Sequence, residues 1–178
     1  RSLFFFMQEA NKLARRPQDV PAQKFTKIGM LGAGMMGAGI AHAAATAGLE
    51  VVLLDSTPEL AAKGKDYSRQ LLAKDVSRGK RSQADADAVL ARIKTTSSYD
   101  DLAGADLVIE AVFESREIKA DVTAKTEAVV PERCIFASNT STLPITGLAQ
   151  ASERPEQFIG LHFFSPVDKM PLVEIILG

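Results

Sequence analysis

Apolar positions along the chain fall into short blocks separated by longer helical stripes. Ile28, Met30 and Leu31 mark a short strand, and the Ala-, Ile- and Met-rich stretch from Met36 to Ala47 marks a helix behind it. Glu50 to Leu54 is a second strand, ending on Asp55. Thr57-Pro58-Glu59 starts a helix, with Thr as N-cap and Pro at the first position, and the helix should run to about Arg78 before Gly79 stops it. Ser82 caps another, whose buried face would be Ala86, Val89, Leu90 and Ile93. A weak strand over 94–98 and a turn over 100–103 follow. Asp106 to Val112 is a near-continuous apolar run, the mark of a central parallel strand. A helix from Arg116 to about Val130 ends before Pro131, and Cys134 to Ser138 is the next strand. Beyond the polar loop 139–142 and a short helix from Pro144, residues 158–164 and 172–177 are two late strands joined by a Pro-flanked loop.

Strand–helix alternation of this kind predicts an α/β fold, a Rossmann-type, doubly wound and mainly parallel sheet. It departs from the plain pattern in a helical pair inserted after the second strand and in the two late strands, which should join the same sheet. The sheet domain spans 25–178. Residues 2–15 form a separate helical stripe, Leu3, Phe6, Met7, Ala10, Leu13 and Ala14, which Arg16-Pro17 and Val20-Pro21 break. Such a stripe needs a surface to cover it, either this domain or a partner domain, and the second is favoured, so that residues 1–24 read as a helix and linker from a preceding domain. The apolar burst at 3–7 is too short for a signal peptide and lacks a small-residue cleavage site.

Composition narrows the class only slightly. With 178 residues, 46% hydrophobic and 24% charged, the chain is globular in character, and its net charge of −1 offers no global field for nucleic acid or a membrane surface. No apolar run approaches the roughly 20 residues of a membrane-spanning helix. The single cysteine, Cys134, excludes an internal disulfide and fits a reducing compartment. It has no activating neighbour in the sequence and is assigned no chemistry. One local charge pattern stands out: Lys63, Lys65, Arg69, Lys74, Arg78, Lys80 and Arg81 crowd the helical insertion. They form either a solvated face or a landing strip for an anionic ligand such as a phosphorylated carrier.

The turn between the first strand and its helix carries the clearest chemistry. Gly32, Gly34 and Gly37 stand in G-x-G-x-x-G spacing. Gly32 permits the sharp turn, Gly34 a close approach of pyrophosphate to the backbone, and Gly37 tight packing of helix on strand. Gly32, Ala33, Gly34, Met35, Met36 and Gly37 would then cradle the phosphates at a helix N-terminus. Asp55, 18 residues beyond Gly37, can accept both ribose hydroxyls of NAD. It would repel the 2′-phosphate of NADP, and Ser56, Thr57 and Pro58 supply no Arg to offset it. NAD is the cofactor this predicts, and no metal site is assigned.

Three further residues are candidates for catalysis. His162 sits in an apolar strand ahead of two phenylalanines, and Glu174 interrupts Leu-Val-Glu-Ile-Ile-Leu, where a carboxylate is costly to bury without a partner. An adjacent strand could bring Glu174 to His162, fix the imidazole tautomer and leave the other ring nitrogen as a general base. Ser141 has no glycine elbow and reads as a hydrogen-bond donor rather than a nucleophile. His42, in an Ala-rich helix, reads as structural.

Three segments, 137–145, Leu161-His162-Phe163-Phe164-Ser165-Pro166 and 170–176, together with the glycine turn 31–41, resemble the L-3-hydroxyacyl-CoA dehydrogenase family. The resemblance covers 26–178 and is greatest to the dehydrogenase part of the bifunctional α-subunits of fatty acid oxidation complexes, in which an enoyl-CoA hydratase domain precedes. It implies that His162 takes the proton of the 3-hydroxyl while hydride passes from C3 to the nicotinamide, that Glu174 orients His162, and that Ser141 holds the substrate oxygen. It also implies positions near the cofactor for Glu114, Lys119 and Asn139, contact of the helical pair with CoA, a cytoplasmic or mitochondrial-matrix location, and a thiolase subunit as a possible partner. Ser165 stands where the family usually has Asn. The family's α-helical C-terminal domain, which closes the cleft, would lie beyond Gly178. The expectation is therefore cofactor binding with weak or absent turnover by this chain alone. Two rivals share the glycine turn: a dehydrogenase of small β-hydroxy acids, which would ignore CoA, and a non-catalytic NAD-binding protein.

Overall fold

The computed structural model describes residues 23–178, and the helix and linker expected over 1–24 lie outside them but for residues 23 and 24. Among the described residues seven strands form one sheet: β1 (Lys27–Leu31), β2 (Glu50–Leu54), β3 (Ile93–Thr96), β4 (Leu107–Glu110), β5 (Ile135–Ser138), β6 (Phe158–Phe163) and β7 (Val173–Leu177). Their spatial order is β3-β2-β1-β4-β5-β6-β7. All neighbours are parallel except β6 and β7, which pair antiparallel. Both late strands thus join the sheet, as expected. The order reverses at β1, whose two neighbours are β2 and β4. A crevice opens at such a point, beyond the carboxyl ends of the strands.

Helices cover both faces. On one lie α1 (Met35–Thr46), α2 (Pro58–Ser77) and α3 (Gln83–Ala91); on the other lie α4 (Arg116–Glu127) and α5 (Ile145–Ala149). Alternate residues of one strand serve the two cores: Val51 and Leu53 pack with Ile40, Ala41 and Leu72, while Val52 and Leu54 pack with Leu102, Val108 and Val122. This two-sided burial is why the central strands read as continuous apolar runs. Hydroxyl side chains start three of the helices, Thr57 accepting from the Leu60 N–H, Ser82 from Asp85 and Ser115 from Ile118. Each satisfies an amide that the helix itself cannot.

Several boundaries shift by one to three residues: the strand expected over 106–112 is confined to Leu107–Glu110, and that expected over 94–98 to Ile93–Thr96. Ile93 begins β3 instead of extending the buried face of α3, because its backbone pairs with Val51. The helix expected to reach Val130 stops at Glu127, where Val129 and Val130 N–H groups turn back onto the Thr126 carbonyl.

Candidate active site

The glycine turn sits at the crevice, between the ends of β1, β2 and β4. Gly32 has φ +88°, a conformation that favours glycine, and a Cβ there would lie 2.7 Å from the Ala111 carbonyl oxygen at the end of β4. A Cβ on Gly37 would overlap the Gly32 carbonyl oxygen, so the first turn of α1 closes onto the loop only with glycine at that position. Gly34 is the reverse case: among the described residues a Cβ there would meet nothing within 4 Å. No side chain caps α1, and its first turn holds no acidic residue. The backbone amides and the positive end of the helix dipole therefore face open space, which suits a pyrophosphate.

Asp55 projects from the end of β2 onto this turn. Its Oδ2 accepts the Ala33 N–H at 2.7 Å and its Oδ1 the Ser56 N–H at 2.7 Å. The Ser56 hydroxyl also donates to Oδ1 at 3.2 Å, so Oδ2 keeps a free acceptor position and Oδ1 gains one when that hydroxyl turns away, which lets the carboxylate accept the two hydroxyls of a ribose. The residues present fit a dinucleotide without an added 2′-phosphate.

Across the crevice, a cluster of charged residues joins α4 to the loop after β5. Lys119, 3% exposed, donates to both carboxylate oxygens of Glu110 at 2.8 and 2.9 Å and pairs with Glu114 Oε2 at 3.0 Å. Glu114 Oε1 accepts from the Ser141 N–H at 3.0 Å, the Thr142 hydroxyl at 3.3 Å and the Thr140 hydroxyl. Partial burial pushes the Glu114 pKa up, but the Thr140 hydroxyl, the Lys119 ammonium and the Ser141 amide together outweigh it and bring the pKa down to about 2. Glu114 is thus firmly ionised. A cleft of about 270 Å³ lies here, lined by Met36, Ala111, Val112, Glu114, Lys119, Asn139, Ser141 and Thr142. A larger hollow of about 440 Å³, around Thr26 and Gly48, lies at the opposite end of the strands, away from these groups.

The third part is the β6–β7 hairpin. Antiparallel register sets His162 directly opposite Glu174, and the His162 Nδ1 lies 2.8 Å from Glu174 Oε2. The other ring nitrogen, Nε2, lies 3.3 Å from the Ser141 hydroxyl. Ser141, His162 and Glu174 are therefore one chain of polar contacts, as the strand pairing suggested. The expected burial of Glu174 is not found: its side chain is 51% exposed, against 19% for His162. The reason is that β7 is an edge strand whose residues lie largely open, with Ile175 and Leu177 at 69% and 80% exposure. Asn139 sits at the rim of the cleft, where its side-chain carbonyl accepts the Phe163 N–H at 2.9 Å and ties β5 to the end of β6.

The remaining expectations are mixed. Burial pushes the Cys134 thiol up to about 11, as befits a residue without chemistry. His42 is buried edge-on to Tyr67, and burial lowers its pKa. The basic strip is less free than its sequence suggests: Lys65 donates to the Ile93 carbonyl at 2.6 Å, and Arg69 pairs with Asp66. Sequence reasoning missed Glu110 and Ser138. Glu110 was absorbed into an apolar run, although a carboxylate inside Leu-Val-Ile-Glu-Ala-Val is itself a signal of a buried partner.

Comparison with known proteins bears on this geometry directly. A family model described as "3-hydroxyacyl-CoA dehydrogenase, NAD binding domain" matches residues 27–178. The fatty acid oxidation complex subunit alpha of Psychrobacter arcticus is 46% identical over 176 residues, covering 99% of this chain and 24% of that protein. Its counterpart in Acinetobacter baylyi is 45% identical, covering 98% of this chain and 24% of that protein. The chain thus spans about a quarter of the length of these curated relatives. Among solved structures, (S)-3-hydroxybutyryl-CoA dehydrogenase of Ralstonia eutropha superposes with a TM-score of 0.84 at 42% identity, over 87% of this chain and 55% of that one. The 3-hydroxybutyryl-CoA dehydrogenase of Escherichia coli gives 0.83 at 37% identity, over 86% and 32%. Among the described residues no helix is long and apolar enough to cross a membrane.

Proposed function

The chain belongs to the 3-hydroxyacyl-CoA dehydrogenase NAD-binding family, and from that premise we propose that it carries the cofactor site and the proton-transfer site of an enzyme oxidising L-3-hydroxyacyl-CoA to 3-ketoacyl-CoA in fatty acid oxidation. The observation that carries the reading is the contact chain Ser141–His162–Glu174 on the same sheet as an open glycine turn. Glu174 accepts a hydrogen bond from the Nδ1–H, which leaves the Nε2 lone pair toward Ser141. His162 then takes the proton of the substrate's 3-hydroxyl at Nε2, and Glu174 stabilises the imidazolium that results. Ser141 holds the same oxygen by a hydrogen bond from its hydroxyl. When bound, NAD supplies the acceptor for the C3 hydride. Gly32 to Gly37 would hold its pyrophosphate, Asp55 its ribose, and Glu114, Lys119 and Asn139 would border its reactive end.

The same reading makes the basic residues of α2 a surface for the CoA phosphates. It also implies a cytoplasmic enzyme, with a hydratase domain before residue 25, a helical domain beyond 178 and a thiolase partner. The test is a fluorescence titration of the chain with NADH, with NADPH as comparison, repeated in acetoacetyl-CoA. NADH binding at least about tenfold tighter than NADPH binding, strengthened by acetoacetyl-CoA, is expected. A folded sample that ignores NADH would overturn the reading.

A further inference from the structure

Glu110 is the most deeply buried carboxylate among the described residues, 1% exposed, and the reaction sketched above gives it nothing to do. It closes β4, in register with Leu31 of β1 and Ser138 of β5. A carboxylate taken out of water is costly unless all its acceptor positions are filled. Here they are: Lys119 donates to both oxygens, the Ser138 hydroxyl to Oε1, and the Val112 N–H to Oε2 at 3.1 Å.

Each of those donors leads on to the candidate site. Ser138 Oγ accepts the Thr140 N–H at 3.3 Å, which sets the start of the loop carrying Ser141. Lys119 bridges to Glu114, which holds Ser141 by its backbone N–H. Val112 follows Ala111, whose carbonyl faces Gly32. Glu110 therefore grips the 138–141 segment from both ends and the rim of the glycine turn as well.

We propose that Glu110 is a positioning residue: its buried carboxylate, acting through Ser138 and through Lys119 and Glu114, fixes Ser141 against His162 Nε2. This rests on the reading of Ser141 and His162 as the proton-transfer pair, but its test does not require turnover or cofactor. A neutral isostere, Glu110→Gln, keeps the size of the side chain, removes the charge that holds Lys119, and sets an amide N–H₂ against a donor. Lys119 then loses one of its two contacts to this side chain and keeps only a neutral amide oxygen there besides Glu114, and the 138–141 loop shifts.

The readout is the imidazole ¹⁵N spectrum of the full chain, which has two histidines, so that His162→Gln identifies the His162 signals. Ser141→Ala removes the contact on Nε2 and gives the reference displacement. In Glu110→Gln, with cooperative melting retained, the His162 Nε2 resonance is expected to move in the same direction by at least half of that displacement. A folded Glu110→Gln protein whose Nε2 resonance stays at the wild-type position, while Ser141→Ala moves it, overturns the proposal. If Glu110→Gln does not fold, Ser138→Ala, which removes one arm only, is read against the same two outcomes. Failure of NADH to bind the wild-type chain would count against the proposed function and leave this result standing.

Discussion

Gly34 and Gly37 lie three positions apart in one motif and are glycine for opposite reasons. At Gly37 the constraint is inside the protein, since a Cβ would overlap the Gly32 carbonyl. Gly37→Ala should therefore distort the turn and lower unfolding free energy by about 1–3 kcal/mol in urea titration. At Gly34 the constraint is the ligand, because the space above it is empty of protein and its φ of −67° suits alanine. Gly34→Ala should leave the melting temperature within a few degrees of wild type and raise the NADH Kd about tenfold or more. Equal melting temperatures for the two variants would remove the distinction. Glu114 supports a pH prediction of definite sign. Its pKa falls from 4.5 to about 2 on folding, so its contribution is fully present above pH 4.5 and is lost as the pH drops from there toward 2. With the side chain 39% exposed, solvent screening keeps that loss modest. Denaturation midpoints measured from pH 6 to 2 should fall less steeply in Glu114→Gln than in wild type, and identical slopes would refute the assignment.

Strands and helix starts were legible in the sequence where local chemistry decides them. Thr57-Pro58 and Ser82 begin helices because a hydroxyl at that position satisfies an amide that would otherwise be orphaned, and no tertiary information is needed. The pairing of His162 with Glu174 was legible in part, since a carboxylate in an apolar strand needs a polar partner on an adjacent strand, whereas the antiparallel register that sets the two opposite each other was not. What was hidden depended on which faces are covered. Leu172 to Leu177 has the composition of a buried strand, yet β7 is an edge, and nothing in an apolar run says whether a layer lies over it. Glu110 shows the converse: a charge in a strand was passed over although it is the most enclosed carboxylate described. The basic residues of α2 were legible only as a count, and a count does not show which charges are already committed, as Lys65 is to the Ile93 carbonyl.

Taken whole, the molecule sets its cofactor half and its proton-transfer half on parts of the sheet with unequal support. β1 has a strand on each side and helices over both faces, and Met30, Leu31, Leu53 and Val108 are fully buried around it. One edge of the sheet is held by a single partner, since among the described residues β7 pairs with β6 alone and leaves Ile175 and Leu177 open to solvent. Local opening free energies follow such differences in burial and pairing. Amide hydrogen exchange should therefore be slowest in β1 and β4 and fastest, among the strands, over Val173–Leu177. Added NADH should slow exchange at Gly34 to Gly37, where the helix amides have no other partner, and leave the β7 amides unchanged. This places Glu174, the residue that orients His162, on the least protected strand of the sheet, so the geometry of the proton acceptor is expected to loosen before the cofactor cradle does. Exchange in β7 as slow as in β1, or β7 amides protected by NADH to the same degree as the glycine turn, would show instead that the two halves open as one unit.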